Sequence, residues 1–414
     1  MALLPFPILS QTPILILKIY CFTVLDSPSI KHVKFLVDHL LIFTPNLNLH
    51  LVLQQNFNLI FYHRCLKILK SLKAFGPHQF ISYDHQNQVF FATTWSLPPH
   101  LSAWSIKFNP TSYPQISLIN KIPIFAVSSY ITSKFNLLFA AGGPTGQVLQ
   151  LNPKTHQIQS ILQQLNFIPQ NQLLHHDRSK NALRNGSHAI EISKFNLTFV
   201  PDLGHNSIWV YKLNRQASHL DFIYQHKSLH QNDGPRHCVV SEDGKRLYVV
   251  TEHTSRVDVY NIHDDQLTLQ TSSSILNDLS DPANFRGDTI RVLPSQFLTH
   301  QFNNHDLIFA TTRGSNSSYL GALSIFDYDL NQKSIKKLIK WETPTSGGKA
   351  NAIEFNLNPK SKKFGVVELV LTDDEIGYIF ILEFNLEKIE ITVLDKALID
   401  QPGIGASHAQ WIYP

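Results

Sequence analysis

The sequence predicts an all-β fold, a seven-bladed β-propeller of four-stranded antiparallel blades whose ring is closed by the C-terminal strand. Three observations carry this. Residues 234–262, GPRHCVVSEDGKRLYVVTEHTSRVDVYNI, read as three short β-branched and aromatic runs separated by turn residues, the pattern of a β-meander. A similar phrase, SHAIEISKFNLTFVPDLGHNSIWVYKL, occupies residues 187–213 and sets His188 and His237 in equivalent places, 49 residues apart. Fainter copies follow the same order elsewhere, and roughly 370 usable residues at a period of about 50 give about seven units. A small sheet repeated at that spacing must stack on its neighbours to bury both faces.

From the start of the chain, residues 15–25 (LILKIYCFTVL) form an apolar run interrupted by Lys18 and bracketed by Pro13 and Pro28. A spanning helix needs about 20 apolar residues, so no membrane segment is expected. With neither a basic leader nor a small-residue cleavage site, residues 1–35 are expected to be an extension of uncertain structure, poorly ordered or contributing a strand. The propeller is expected over residues 36–414, with a divergent first blade in the apolar stretch 33–72. Clear strand-turn-strand units follow at 80–108 (FISYDHQNQVFFATTWSLPPHLSAWSIKF) and 130–151. Residues 157–178 are rich in Gln, Asn and His and read as a loop with a helical turn at 158–165. The neighbouring His175 and His176 lie in that loop, where no fixed geometry suits a metal. Residues 305–330 and 350–386 each end in an alternating strand. The tail, PGIGASHAQWIYP, supplies one strand at 408–413 that closes the ring and removes two exposed sheet edges.

Composition narrows the function classes. Of 414 residues, 43% are apolar and 16% charged, as expected where sheets bury both faces. The net charge of +4 is spread along the chain rather than gathered in a basic run, so no nucleic-acid partner is expected. Three cysteines, Cys21, Cys65 and Cys238, show neither metal-ligand spacing nor an even disulfide framework. They fit a reducing compartment, and a cytoplasmic location is expected.

In a propeller the innermost strands line the central channel, so polar residues at their starts are candidates for a site. His188 stands there in one blade and Arg236 in the next, 48 residues on. Glu252 and Arg313 end the apolar strands LYVVT and LIFATT at comparable places. One His, one Glu and two Arg are thereby expected to face a common cavity, although Glu252 and Arg236 also suit a plain ion pair. Lys349 and Asn351, from GGKAN before another inner strand, are secondary binding candidates. His237 and His253 should alternate to the opposite side of their strands and be structural.

The phrases at 187–213 and 234–262 resemble the lactonase family of seven-bladed propellers, which includes 6-phosphogluconolactonases and the fungal 3-carboxy-cis,cis-muconate cyclases. The resemblance runs from residue 80 to the C-terminus. TPTSGGKANAIEF, LTDDEIGYIFILEF, ATTRGSNSSYLGAL and the tail are closer to the cyclases, whereas VPDLG and GGK suit both branches. The cyclase resemblance implies that His188, Arg236, Glu252 and Arg313 form the active site for reversible cyclisation of 3-carboxy-cis,cis-muconate to carboxymuconolactone in aromatic catabolism. It implies no metal or organic cofactor, a small tricarboxylate substrate and a homo-oligomer. Three carboxylates call for Arg, which holds a carboxylate bidentately. A proton must also arrive at the carbon beside the new bond. His188, with the more suitable ordinary pKa, is provisionally its donor, and Glu252 an orienting group or alternative acid. A lactone hydrolase using the same parts, or a propeller serving only as a binding platform, are the other readings.

Overall fold

Six four-stranded antiparallel sheets succeed one another along the chain, each in the spatial order of its sequence and each entered by its channel-side strand. Blade I comprises Ile81–Asp84, Val89–Thr93, His100–Asn109 and Ser112–Pro123. Blade II comprises Tyr130–Lys134, Leu137–Gly142, Thr145–Leu151 and Ile158–Asn166. Blade III follows with Glu191–Ile192, Leu197–Asp202, Ser207–Asn214 and His219–Lys227. Blade IV holds Pro235–Val240, Arg246–Thr251, Arg256–His263 and Gln266–Ser274. Blade V holds Phe285–Val292, His305–Gly314, Ala322–Asp329 and Ser334–Glu342. Blade VI holds Ile353–Phe355, Val366–Asp373, Tyr378–Asn385 and Glu390–Leu398. This computed structural model describes residues 14–21, 39–54, 57–77, 80–109, 112–277, 280–358, 364–399 and 404–413.

The second strand of each blade is buried on both faces, which is why VFFAT, LLFAAG and RLYVVT read as unbroken apolar runs. Val250 and Val259 of blade IV pack on Ile290, Ile308 and Phe326 of blade V, so the core lies between blades. Fourth strands are the polar outer edges, as in Glu390–Leu398 with its largely exposed pattern. The recurrent turn after the first strand explains the repeat. Blade IV turns at Ser241-Glu242-Asp243-Gly244 with Gly244 at φ 74°, and blade III turns at Ser193-Lys194-Phe195-Asn196 with Asn196 at φ 67°. Asn tolerates the left-handed region that Gly adopts freely, so two different tetrapeptides make one turn.

Two expectations need correction. Residues 158–166 are a strand, not a loop with a helical turn. Ile158, Ile161, Leu162 and Leu165 are spaced as on a helix face, yet residues 158–166 pair with Thr145–Leu151 through two register shifts. Those bulges let an irregular apolar pattern serve an outer edge, where most side chains face water. The blade read at 305–330 also begins earlier, with Phe285–Val292, and two 3-10 turns at Ser295–Phe297 and His300–Phe302 separate its first two strands.

The C-terminal strand is Ile404–Ile412, longer than the expected 408–413. Trp411 joins Val370, Ile379 and Ile381 of blade VI, while Ile412 joins Ile81 and Phe90 of blade I. A further sheet has the order Ile404–Ile412, Ile14–Cys21, His39–Gln54, Phe57–Lys73. Of the expected extension, residues 1–13 and 22–35 lie outside the described residues. Burying a large apolar side chain contributes about 1.5–3 kcal/mol, and Trp411 and Ile412 are 3% and 0% exposed. Deleting residues 404–414 should therefore lower the melting temperature by many degrees. A tail-deleted protein melting where the full chain does would contradict this packing.

Candidate active site

Four segments bring the candidate residues together. His188 precedes the first strand of blade III, where its N–H donates to the Pro201 carbonyl at 3.0 Å and its carbonyl accepts from Ser129 Oγ at 2.9 Å. Arg236 is the extra residue in a register shift between Pro235 and His237, a bulge of the kind that re-aims a side chain. Glu252 follows Arg246–Thr251, its N–H held by the Gly234 carbonyl at 2.7 Å. Arg313 is the penultimate residue of His305–Gly314. All four line one cavity of about 770 Å3.

Their geometry is a linked set of charges. Arg236 Nη1 bonds Glu252 Oε2 and also donates to His188 Nε2 at 3.0 Å. Arg236 Nη2 pairs with Asp288 Oδ1 at 2.8 Å, and Arg313 Nη2 donates to Glu252 Oε1 at 3.1 Å. Glu252 thus lies between two arginines, and Arg236 between two carboxylates. Because a guanidinium only donates, His188 Nε2 accepts, which leaves the ring proton of the neutral imidazole on Nδ1.

Residues 66–337 match the family described as Lactonase, 7-bladed beta-propeller. The chain belongs to that lactonase family. Muconate cycloisomerase 1 of Cutaneotrichosporon cutaneum is 26% identical over 334 residues, spanning 78% of this chain and 86% of the relative. A solved periplasmic gluconolactonase of Pseudomonas aeruginosa superposes with a TM-score of 0.69 at 12% identity, covering 97% of this chain and 99% of its own. A Bacteroides uniformis structure named for 6-phosphogluconolactonase has a TM-score of 0.69 at 14% identity, with the same coverage of 97% and 99%. At those identities the two structures speak for the fold.

Electrostatics assign states to the site of this lactonase-family protein. Burial opposes ionisation of Glu252, but Arg236 and Arg313 outweigh it and hold the carboxyl down at about 2. Burial, reinforced by Arg236, pushes the His188 imidazole well below its ordinary value. At neutral pH the free protein therefore presents a carboxylate at 252 and a neutral ring at 188. Glu252 therefore has no proton to give in the free protein, and the lone pair of His188 Nε2 is taken by Arg236. Arg236, 3% exposed and shared among Glu252, Asp288 and His188, positions those groups, whereas the partly exposed Arg313 faces the cavity more openly.

The remaining candidates separate. Lys349 lines the cavity, with its backbone N–H donating to Asp374 Oδ2 at 3.0 Å. Asn351 does not line it: its Nδ2 donates to the Thr312 carbonyl at 2.9 Å and its N–H to Asp288, so it is a buried brace. His237 is buried against Phe80, Tyr130 and His188 as a structural residue. His253, expected on the far side of its strand, lines the cavity because it follows the strand end and escapes the alternation. His175 and His176 stand after the short helix Gln170–Leu173, and no group of three metal-ligating side chains converges among the described residues. No helix among them is long and apolar enough to cross a membrane.

Sequence reading missed Asp288, Lys180, Arg184 and Arg286. Asp288 and Arg286 occupy FRGDTIRV, whose alternating charges mark a strand with one face on the channel; that was the available signal. A pH effect follows from Glu252. Its carboxyl is near 4.5 unfolded and near 2 folded, so its stabilisation is present above pH 4.5 and is lost as pH falls toward 2. The stability difference between wild type and Glu252→Gln, measured by urea unfolding, should shrink steadily from pH 6 to pH 3. A difference that stays constant over that range would contradict the ionised, arginine-held carboxylate.

Proposed function

We propose that this lactonase-family protein is a cycloisomerase interconverting 3-carboxy-cis,cis-muconate and its carboxymuconolactone, on a ring whose seventh blade is the sheet that includes the C-terminal strand. The observation that carries the reading is the charge-linked set His188, Arg236, Glu252 and Arg313 on one cavity wall. The similarity to a fungal protein named as a muconate cycloisomerase supports it. In lactonisation a carboxylate oxygen bonds to one carbon of a double bond, the π electrons move to the neighbouring carbon and its conjugated carboxylate, and a proton then joins that carbon. Arg313 holds the reacting carboxylate and offsets charge on the enolate-like intermediate. Lys349 takes a second carboxylate.

In the reverse direction neutral His188, once its Nε2 turns from Arg236 to the substrate, accepts the proton beside the lactone oxygen. By microscopic reversibility its protonated form delivers that proton during ring closure, once a trianionic substrate has raised its affinity for a proton. In the free protein Arg236 fixes the ring and Glu252 fixes Arg313. Product analysis tests the reading. In D2O the lactone formed should carry one deuterium beside the new carbon–oxygen bond, and in 18O-water the recovered compounds should carry no 18O. A lactone hydrolase, the reading suggested by gluconolactonase-named structures of this fold, would place one 18O in the acid produced.

A further inference from the structure

We infer that Arg286 reads the branch carboxylate of the substrate, side by side with the reacting carboxylate on Arg313. The inference deepens the proposed reaction and rests on it for the identity of the acid. Arg286 opens blade V in the strand Phe285–Val292, and its Cα partner across the sheet is Arg313. Directly opposite residues of an antiparallel pair project from one face as close neighbours, and like charges so placed repel one another. Both side chains line the cavity, where an anionic ligand shared between them offsets that repulsion. Gly287 fixes the strand at this point. Its N–H donates to the Glu252 carbonyl at 2.9 Å, and a Cβ at 287 would lie 2.1 Å from the Thr251 carbonyl oxygen. Only glycine lets blade V approach blade IV this closely. Arg286 therefore belongs to a built edge of the site rather than to a free loop.

The guanidinium is oriented before any ligand arrives. Its Nη1 donates to the Ala283 carbonyl at 3.0 Å and to the Phe285 carbonyl at 2.6 Å, which uses both Nη1 hydrogens and leaves those of Nε and Nη2. That side of the fork is one that holds a carboxylate bidentately. Among the described residues Arg286 makes no ion pair, and Nε of the neighbouring Arg313 is buried without an acceptor. Within the inner set, Arg236 and Arg313 balance Glu252 and Asp288. Arg286 adds a positive charge that this balance does not use. The chemistry of the substrate matches its placement. Whichever end of the diene closes, the new ring contains the carbon that bears the branch carboxylate, so the branch stays beside the reacting group. The remaining carboxylate hangs outside the ring on a methylene. Neighbouring carboxylates thereby meet neighbouring arginines, and at about 770 Å3 the cavity has room for the whole acid.

Calorimetric binding of propane-1,2,3-tricarboxylate and of glutarate tests this, because the two acids differ only in the branch carboxylate and neither can cyclise. Charge-assisted contacts to one added oxyanion correspond to about tenfold or more in Kd. Wild type should prefer the tricarboxylate by that factor. Arg286→Gln should lose the preference while keeping its affinity for glutarate, which also shows that the variant is folded. Arg286→Lys, which keeps the charge but not the fork, should retain part of the preference and carries the test if the glutamine variant does not fold. The ratio of kcat/KM for 3-carboxy-cis,cis-muconate to that for unsubstituted cis,cis-muconate should fall in parallel. A full preference in Arg286→Gln, or none in wild type, would overturn the role of Arg286. Turnover of carboxymuconate with the preference untouched by Arg286→Gln would leave the reaction standing and remove that role. A preference lost in Arg286→Gln, without turnover by wild type, would keep the anion clamp and remove the reaction.

Discussion

Arg313→Ala is expected to lower kcat/KM for 3-carboxy-cis,cis-muconate by about 10²–10³, the loss seen when one preorganised donor to developing charge is removed. The side chain is tied by one nitrogen to Glu252 and lines the cavity, so truncation removes both the proposed carboxylate clamp and one of the two arginines that hold Glu252 ionised. Much of the loss should fall on kcat, because charge on the enolate-like intermediate exceeds that of the ground state at the reacting carbon. Melting temperature should fall as well, since Arg313 is largely buried and helps to hold Glu252 ionised, so rates are compared at a temperature where both proteins are folded. Initial rates of diene loss across substrate concentration check this. A variant retaining wild-type kcat/KM would remove Arg313 from the mechanism.

Arg236→Met is expected to be the most destabilising change at the site, by about 3–5 kcal/mol, because it strands buried charges. Its guanidinium serves Glu252, Asp288 and His188 together, and the Arg236 and Asp288 side chains are only 4% and 2% exposed. Methionine fills much of the volume and leaves two carboxylates without their shared cation. Denaturant unfolding gives the difference directly. Since the cost arises from the abandoned carboxylates, adding Asp288→Asn should recover part of it. A single variant within about 0.5 kcal/mol of wild type, the range of ordinary surface substitutions, would contradict the linked-charge description.

What was legible beforehand follows from what each strand faces. Leu247 to Val250 lie between two blades, so their apolar run and the Ser241–Gly244 turn announce the unit, and the same turn in blade III made the repeat visible. His188 and Arg236 were found because they precede such units at one spacing. Phe285–Val292 escaped notice because its channel face carries Arg286, Asp288 and Arg291, which break the apolar signal. Lys180 and Arg184 belong to an interblade segment with no period, and only the fold carries them to the cavity. Asn351 shares the sequence position of a site residue, but hydrogen bonds to Thr312 and Asp288 turn it inward. The protonation states were hidden for a related reason, since they depend on which charges meet. An ordinary pKa favoured His188 as the acid, whereas burial beside Arg236 keeps its ring neutral in the free protein.

The most direct measurement is the ultraviolet absorbance of 3-carboxy-cis,cis-muconate incubated with the purified, folded protein in the presence of chelator. For a reversible cycloisomerase the conjugated-diene absorbance falls to an equilibrium value that is also reached when the reaction starts from the lactone. An unchanged spectrum from folded protein, with 6-phosphogluconolactone hydrolysed in a parallel assay, would contradict the cycloisomerase and assign the cavity to lactone hydrolysis.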